Sequence, residues 1–266
     1  MLAVNAREDE LDDVAKLCRH EHLGIELTGF AFHTLLDVDL EARIARHVEG
    51  VRGIEPVASH GPFVDLYVTS RDPEIVAVCR RRHEQALAAS RAVGASVYVA
   101  HLNSIPLIRN QEDQDRFVRD TVEFWLPYAV DAARDGMTIV LANLWESGPE
   151  LQKRVIEVAS HPGLRASFDN GHALVFSQRP ASEWIKVLGS DLAHCHLHDN
   201  NGESDQHRSI GEGVESWPEL FDALGLYAPE ALVVLKCDRL EPNVASLAEA
   251  QWYLGTEGPI KHGSAR

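Results

Sequence analysis

Leu192–Gly213 reads LAHCHLHDNNGESDQHRSIGEG. Its first half alternates, with His194, His196 and His198 on every second position and Cys195 and Leu197 between them. In an extended strand alternate side chains leave on opposite faces, so the imidazoles point one way and the apolar groups the other. A plain core strand does not carry a histidine face, so the pattern predicts a strand between an apolar covering layer and a polar interior. Asp199, Asp205 and His207 follow, then a turn flanked by Gly211 and Gly213. Imidazole and carboxylate at this density suit a transition-metal site or acid–base chemistry. A solvated strand end with hydrogen-bonded histidines is the plain alternative.

Further strands are predicted outward from this one, at Leu2–Ala6, Gly24–Leu27, Gly53–His60, Ser96–His101, Thr138–Leu144, Leu164–Asp169 and Ala231–Cys237. Helical spacing falls between and after them, at Glu8–Cys18, Asp39–Val51, Asp72–Val93, Asp113–Asp135, Glu150–Ala159, Ala181–Leu188, Trp217–Leu224 and Val244–Leu254. Regular alternation of apolar strand and amphipathic helix predicts a parallel sheet closed into a single-domain (β/α)8 TIM barrel over residues 1–254, with a loose tail over 255–266. A doubly wound open sheet is the alternative fold. No glycine-rich dinucleotide loop follows the first strand, so no nucleotide cofactor is expected.

Composition narrows the partners. The chain has 266 residues and a net charge of −16, from 25 Lys+Arg against 41 Asp+Glu, which disfavours nucleic acid or an anionic membrane as partner. No apolar run approaches transmembrane length, and MLAVNAREDELDD lacks the form of a signal peptide. Cys18, Cys79, Cys195 and Cys237 have no paired spacing, which predicts reduced thiols in a cytoplasmic protein. A small-molecule substrate is the expected partner.

In such barrels the chemistry sits at the C-terminal strand ends. Those ends carry His60, His101, Ala142 with Asn143, Asp169 with His172, His196 with His198, and Lys236 with Asp238. Parity gives them a common interior: Val97 and Val99 share a face with His101, Val140 with Ala142, and Val234 with Lys236. Histidines met at random on a surface would not recur at equivalent heights on distant strands, so a shared ligand or acid–base site is expected.

The runs SFDNGHA (Ser167–Ala173) and HLHDNNGESDQHRSIGEG, with His60 in ASHGPF, resemble the xylose isomerase-like TIM barrels, which include sugar-phosphate isomerases and epimerases and endonuclease IV. The likeness spans essentially the whole chain. It implies His60, His101, Asp169, His172, His196, Asp205 and His207 as metal ligands, with zinc or manganese as the ion. In that family the fifth strand normally ends in Glu–Asn and the eighth in Glu; here Ala142 and Lys236 stand at those positions. The resemblance therefore implies a divalent centre that has lost two carboxylates and gained an ammonium. An ammonium roughly 5 Å from a divalent ion costs about 6–7 kcal/mol at an effective dielectric near 20.

Three outcomes follow. A metal persists on His172, Asp205 and His207, with His60 and His101 as a weaker pair. Alternatively Lys236 replaces the ion, pairing with Asp169 and polarising a substrate carbonyl, or serving as base or nucleophile. Thirdly, the barrel is a non-catalytic small-ligand binder or an inactivated variant. The leading expectation is an isomerase- or epimerase-like enzyme moving a proton on a small polyhydroxylated carbonyl compound, with Lys236, His196 and Asp169 as catalytic residues. Zinc-dependent cleavage of abasic DNA is the alternative chemistry. Trp145, Asn143, His198 and Asp199 are the candidate substrate-contacting residues, Asp199 also as an orienting group. Weaker candidates are Phe30, Phe32 and His33 as a substrate cap and Arg109 as a phosphate contact, while Trp125 and Trp184 suit helix core.

Overall fold

Every apolar strand is laid parallel to the one before it, and the last returns to the first. The computed structural model describes residues 1–105, 107–108, 110–177 and 179–255. Its strands are β1 (Leu2–Ala6), β2 (Gly24–Leu27), β3 (Val57–His60), β4 (Val97–His101), β5 (Thr138–Ala142), β6 (Leu164–Asp169), β7 (Leu192–Leu197) and β8 (Leu232–Leu235). They close in sequence order as a barrel, with β8 pairing β1. The helices are α1 (Leu11–Glu21), α2 (His33–Leu36), α3 (Leu40–Gly50), α4 (Pro73–Ala92), α5 (Gln111–Arg134), α6 (Glu150–Ala159), α7 (Asn170–Phe176), α8 (Ala181–Leu188), α9 (Trp217–Tyr227) and α10 (Leu240–Tyr253). The expected single (β/α)8 barrel is the observed one. The tail over 256–266 and Arg109 lie outside the described residues.

Local chemistry sets the helix starts. Asp72 accepts from the Glu74 N–H with Pro73 in the first turn, and Asn110 accepts from the Asp113 N–H at 2.8 Å. One strand face packs outward: Ile25, Leu27, Tyr98, Leu141, Phe168, Cys195, Leu197 and Leu235 join the helices in the main core. Trp125 and Trp184 lie fully buried in that layer. Burying each such large side chain contributes about 1.5–3 kcal/mol. The other face fills the barrel: Ala3, Ala58, Leu232 and Val234 form one cluster, and Val99, Val140 and Ala142 another. This is the parity expected from sequence.

Two departures matter for the site. The ladder between β6 and β7 pairs Ala166 with Leu192 and then Ser167 with His194, so Ala193 is an extra residue in β7. The bulge lets Leu192 join the outer core while His194 and His196 turn inward. The second departure is α7, where the sequence pattern suggests no helix; Asp169 caps it by accepting from the His172 N–H at 2.9 Å. That cap fixes His172 beside the end of β6. The third strand is also shorter than expected, since only Val57–His60 pairs.

Candidate active site and metal-binding cluster

At the C-terminal end of the barrel lies a cavity of about 520 Å³, lined by His60, His101, Asp169, His172, Asp205, His207 and Lys236. Register stacks them in successive layers: His101 pairs Ala142, which pairs Ser167, and two residues further along β6 Asp169 pairs His196. Ala142 is fully buried inside the barrel. A methyl group there leaves the fifth-strand position of the site without a donor atom.

The inner part of the site centres on Glu26, a residue the sequence analysis does not single out. Glu26 is wholly buried on β2. Its carboxylate accepts from His196 Nε2 at 2.9 Å and His194 Nε2 at 3.0 Å. Lys236 Nζ donates to Glu26 Oε1 at 3.1 Å and lies 3.3 Å from His196 Nε2. Burial alone would raise the Glu26 carboxyl, but the charges of His196 and Lys236 outweigh it and hold the group well below the usual range. Burial pulls His194 down to about 4, and its Nδ1 meets Ser167 Oγ at 2.8 Å. Glu26, His194 and His196 thus bring three donor atoms close enough to hold a metal ion. The ammonium of Lys236 already stands against two of them. The expectation that Lys236 pairs with Asp169 is corrected: its partner is Glu26, on the second strand over, beyond β1.

The outer cluster is built differently. His172 Nδ1 donates to the Asn143 carbonyl at 2.9 Å, and His207 Nδ1 donates to the Lys236 carbonyl at 2.6 Å. Both rings therefore turn Nε2 towards Asp205, whose Oδ2 lies 3.3 Å from His172 and 3.0 Å from His207. Tying Nδ1–H to a carbonyl is how proteins fix the tautomer and orientation of a ligating imidazole. His207 holds a left-handed backbone at φ 49°, strained for a non-glycine residue. His198 stacks on His207 with centroids 3.9 Å apart, and His198, Asp205 and His207 form a second group able to hold an ion. Burial works to lower His172, but Asp169 and Asp205 raise it to about 9. Burial likewise opposes the charging of His207, and Asp205 raises it. Where a cation binds, it replaces these protons.

The third element is an imidazole pair. His60 Nδ1 donates to the Gly61 carbonyl at 2.8 Å, which leaves its Nε2 bare, 3.3 Å from His101 Nε2. Burial keeps both rings neutral, well below the ordinary imidazole value, and Lys236 adds to the effect. With His60 protonated on Nδ1, a hydrogen bond between the two rings requires the proton on His101 Nε2. Holding a cation there would move that proton to His101 Nδ1, a buried atom with no hydrogen-bond partner. The outer cluster thus fits a divalent ion better than this pair does. Asp169 Oδ2 and His196 Nδ1, 3.3 Å apart, are also buried without a well-aligned partner. Such unsatisfied donor atoms at a site suit a bound ion.

The other expected site residues have separate placements. Trp145 lines the cavity. Asn143 is buried, donating to the Asp169 carbonyl at 2.9 Å and accepting from its N–H at 2.8 Å, so it braces β6 rather than facing a substrate. His198 is wholly buried, held by Asp169 Oδ1 at 3.2 Å. Asp199 accepts from the N–H groups of Asn200 and Gly211 and from Trp217 Nε1, which organises the loop after β7. Of the substrate-contacting set, only Trp145 is therefore on the cavity wall. Close packing explains two glycines: a Cβ at Gly171 would lie 1.9 Å from the His198 ring, and one at Gly213 2.1 Å from the Asn200 carbonyl. Phe30 is buried, whereas Phe32 is exposed at the cavity rim. The signal for Glu26 was a lone carboxylate between Ile25 and Leu27. A charge buried on a barrel strand needs an internal partner.

The chain belongs to the xylose isomerase-like TIM barrel family, whose model matches residues 24–252. It is 25% identical over 207 residues to the uncharacterized protein MJ1311 of Methanocaldococcus jannaschii, covering 74% of this chain and 70% of that one. A solved structure of the TTHB071 protein from Thermus thermophilus, soaked with ZnCl2, shares 26% identity and a TM-score of 0.79 over 97% of this chain and 99% of that one. A D-psicose 3-epimerase solved in the presence of D-fructose superimposes at a TM-score of 0.73 with 17% identity, over 96% of this chain and 99% of that one, a likeness of fold. Among the described residues no helix is long and apolar enough to cross a membrane, and all four cysteines are free and buried.

Proposed function

We propose that this barrel moves a proton beside the carbonyl of a small polyhydroxylated compound, as an isomerase or epimerase of the sugar or sugar-phosphate type. One divalent ion, zinc or manganese, would be held on Asp205 and His207, flanked by His172 and His198. Lys236 takes the electrostatic place of a central ion. The observation that carries this reading is the meeting, in one cavity, of an anchored ammonium with imidazoles whose tautomers are set by backbone carbonyls.

When bound, the ion supplies Lewis-acid polarisation of a substrate oxygen at the outer side of the cavity. Lys236 Nζ donates to the carbonyl oxygen and stabilises the negative charge that develops there once the neighbouring carbon loses its proton. Glu26 holds that ammonium in place. His60, held neutral by burial, is the group placed to take the proton at Nε2, in exchange for its contact with His101 Nε2. Asp169 orients His172 and His198 from behind. Trp145 offers an aromatic face to the apolar side of a sugar.

The test is solvent-deuterium exchange. Zinc- or manganese-loaded protein in D2O is incubated with aldoses, ketoses and their phosphates, and carbon-bound deuterium is read by NMR. Incorporation that disappears in Lys236→Met supports the reading; none from any of these compounds overturns it.

Zinc-dependent phosphodiester cleavage is the second reading, favoured by His60, His101 and the outer cluster opening into one cavity. The rim counts against it, because Arg7 pairs with Asp238 and Arg239 with Asp9, leaving those cations matched. Binding to abasic duplex DNA that weakens with salt would revive it. Ligand binding with neither exchange nor cleavage would leave a non-catalytic binder.

A further inference from the structure

Beside the reaction cavity lies a larger hollow of about 930 Å³. Trp145 and Phe176 line both, so the two form one trough divided by an indole and a phenyl ring. Pockets of roughly 300–1,000 Å³ enclose drug-sized ligands, so the first cavity alone is large enough for a single sugar. Among the described residues that line it, the second hollow has no histidine. Behind its lining residues Tyr67 and Ser104, Asn103, in left-handed conformation at φ 53°, donates from Nδ2 to the Phe63 and Leu66 carbonyls at 3.0 Å each, tying the loops after β3 and β4 together.

The lining selects a chemistry. Tyr67 and Phe176 remain 36% and 42% exposed, leaving aromatic surface uncovered. Charged groups there already have partners: Glu146 accepts from the Ser104 and Leu144 N–H groups, Glu150 pairs with Arg179 at 2.8 Å, and Arg154 pairs with Asp115. An anionic group would meet two carboxylates and, among the described lining residues, no unmatched cation. An alkyl chain would strip water from polar groups without replacing its hydrogen bonds. A neutral sugar ring meets both demands, with an apolar C–H face for the aromatic rings and hydroxyls for the polar wall.

We infer that the trough accommodates a glycoside, the carbonyl-bearing sugar in the first cavity and a second, uncharged sugar ring in the hollow beyond Trp145 and Phe176. The inference rests on the proton-transfer reading for its substrate class. Calorimetric titration of the zinc-loaded full chain with maltulose, lactulose, isomaltulose and D-fructose tests it. At least one disaccharide should bind about tenfold more tightly than D-fructose, an advantage that shrinks to about twofold or less in Tyr67→Ala and in Ser147→Trp. Thermal melts confirm that each variant is folded. No disaccharide advantage beyond about twofold, or an advantage that survives both variants, overturns the inference. The two readings fail separately. Deuterium exchange into D-fructose with no disaccharide advantage sinks only the glycoside; a disaccharide advantage without exchange on any sugar sinks only the proton transfer.

Discussion

The inner and outer clusters use the same side-chain types and reach opposite electrostatic solutions. At the inner one, Glu26 closes on His194, His196 and the protein's own cation, Lys236, so the charge is balanced before any ligand arrives. At the outer one, Asp205 is shared between His172 and His207, whose other nitrogens are tied to carbonyls, and no lysine or arginine is paired with it among the described residues. Ligand identity alone therefore does not make a metal site. What decides is whether a cation is already covalently part of the wall.

The sharpest way to break this contrast is Glu26→Gln. It leaves a buried ammonium without its carboxylate, and loss of one partner of such a pair costs about 3–5 kcal/mol. Urea unfolding at pH 7 should show that loss, whereas Asp205→Asn in the metal-free protein should fall within about 1 kcal/mol because Asp205 is partly exposed. Equal losses would erase the distinction.

Zinc affinity runs the other way. Asp205→Asn should weaken binding by more than about 100-fold, since even partners outside the ligand set typically contribute 10–100-fold. Glu26→Gln should leave the stoichiometry at one ion, as read by chelator competition. In Lys236→Met the inner cation is gone, and a second zinc should bind on Glu26, His194 and His196. A stoichiometry that stays at one in Lys236→Met would show that something other than the ammonium keeps that site closed.

The pH dependence separates the clusters more gently. His172 is raised from 6.5 to about 9, so its contribution to metal-free stability is complete below 6.5 and lost as pH rises towards 9. Glu26, Asp169 and Asp205 are held low, so theirs is present above the ordinary carboxylate values of 3.8–4.5 and lost in acid. Burial lowers His60, His101 and His194, which adds a loss as pH falls below 6.5. Melting of the metal-free protein should therefore decline between pH 6.5 and 9, and zinc should flatten that limb because bound imidazoles are neutral. A metal-free profile already flat would remove the partners assigned to His172. The smallest effect is expected at the rim: Arg7→Ala breaks an exposed pair with Asp238 and should change stability by about 1 kcal/mol or less.

The barrel was readable from the chain because alternation is local: each apolar strand and each amphipathic helix declares its own buried face. Parity along β4, β5 and β8 also put His101, Ala142 and Lys236 inside, and the histidines of β7 announced a polar interior. Pairing was not readable. Lys236 and Glu26 stand 210 residues apart, and nothing in GIEL names the cation that will meet its glutamate. Only closure of the sheet, β8 onto β1, brought β2 within reach of β7 and β8. The same holds for His172 and His207, whose usable nitrogens are chosen by carbonyls of Asn143 and Lys236 on other strands. Sequence determined which faces are buried, through short-range geometry. Tertiary structure decided which charges meet, because Coulomb and hydrogen-bond partners are selected by distance in space and not along the chain.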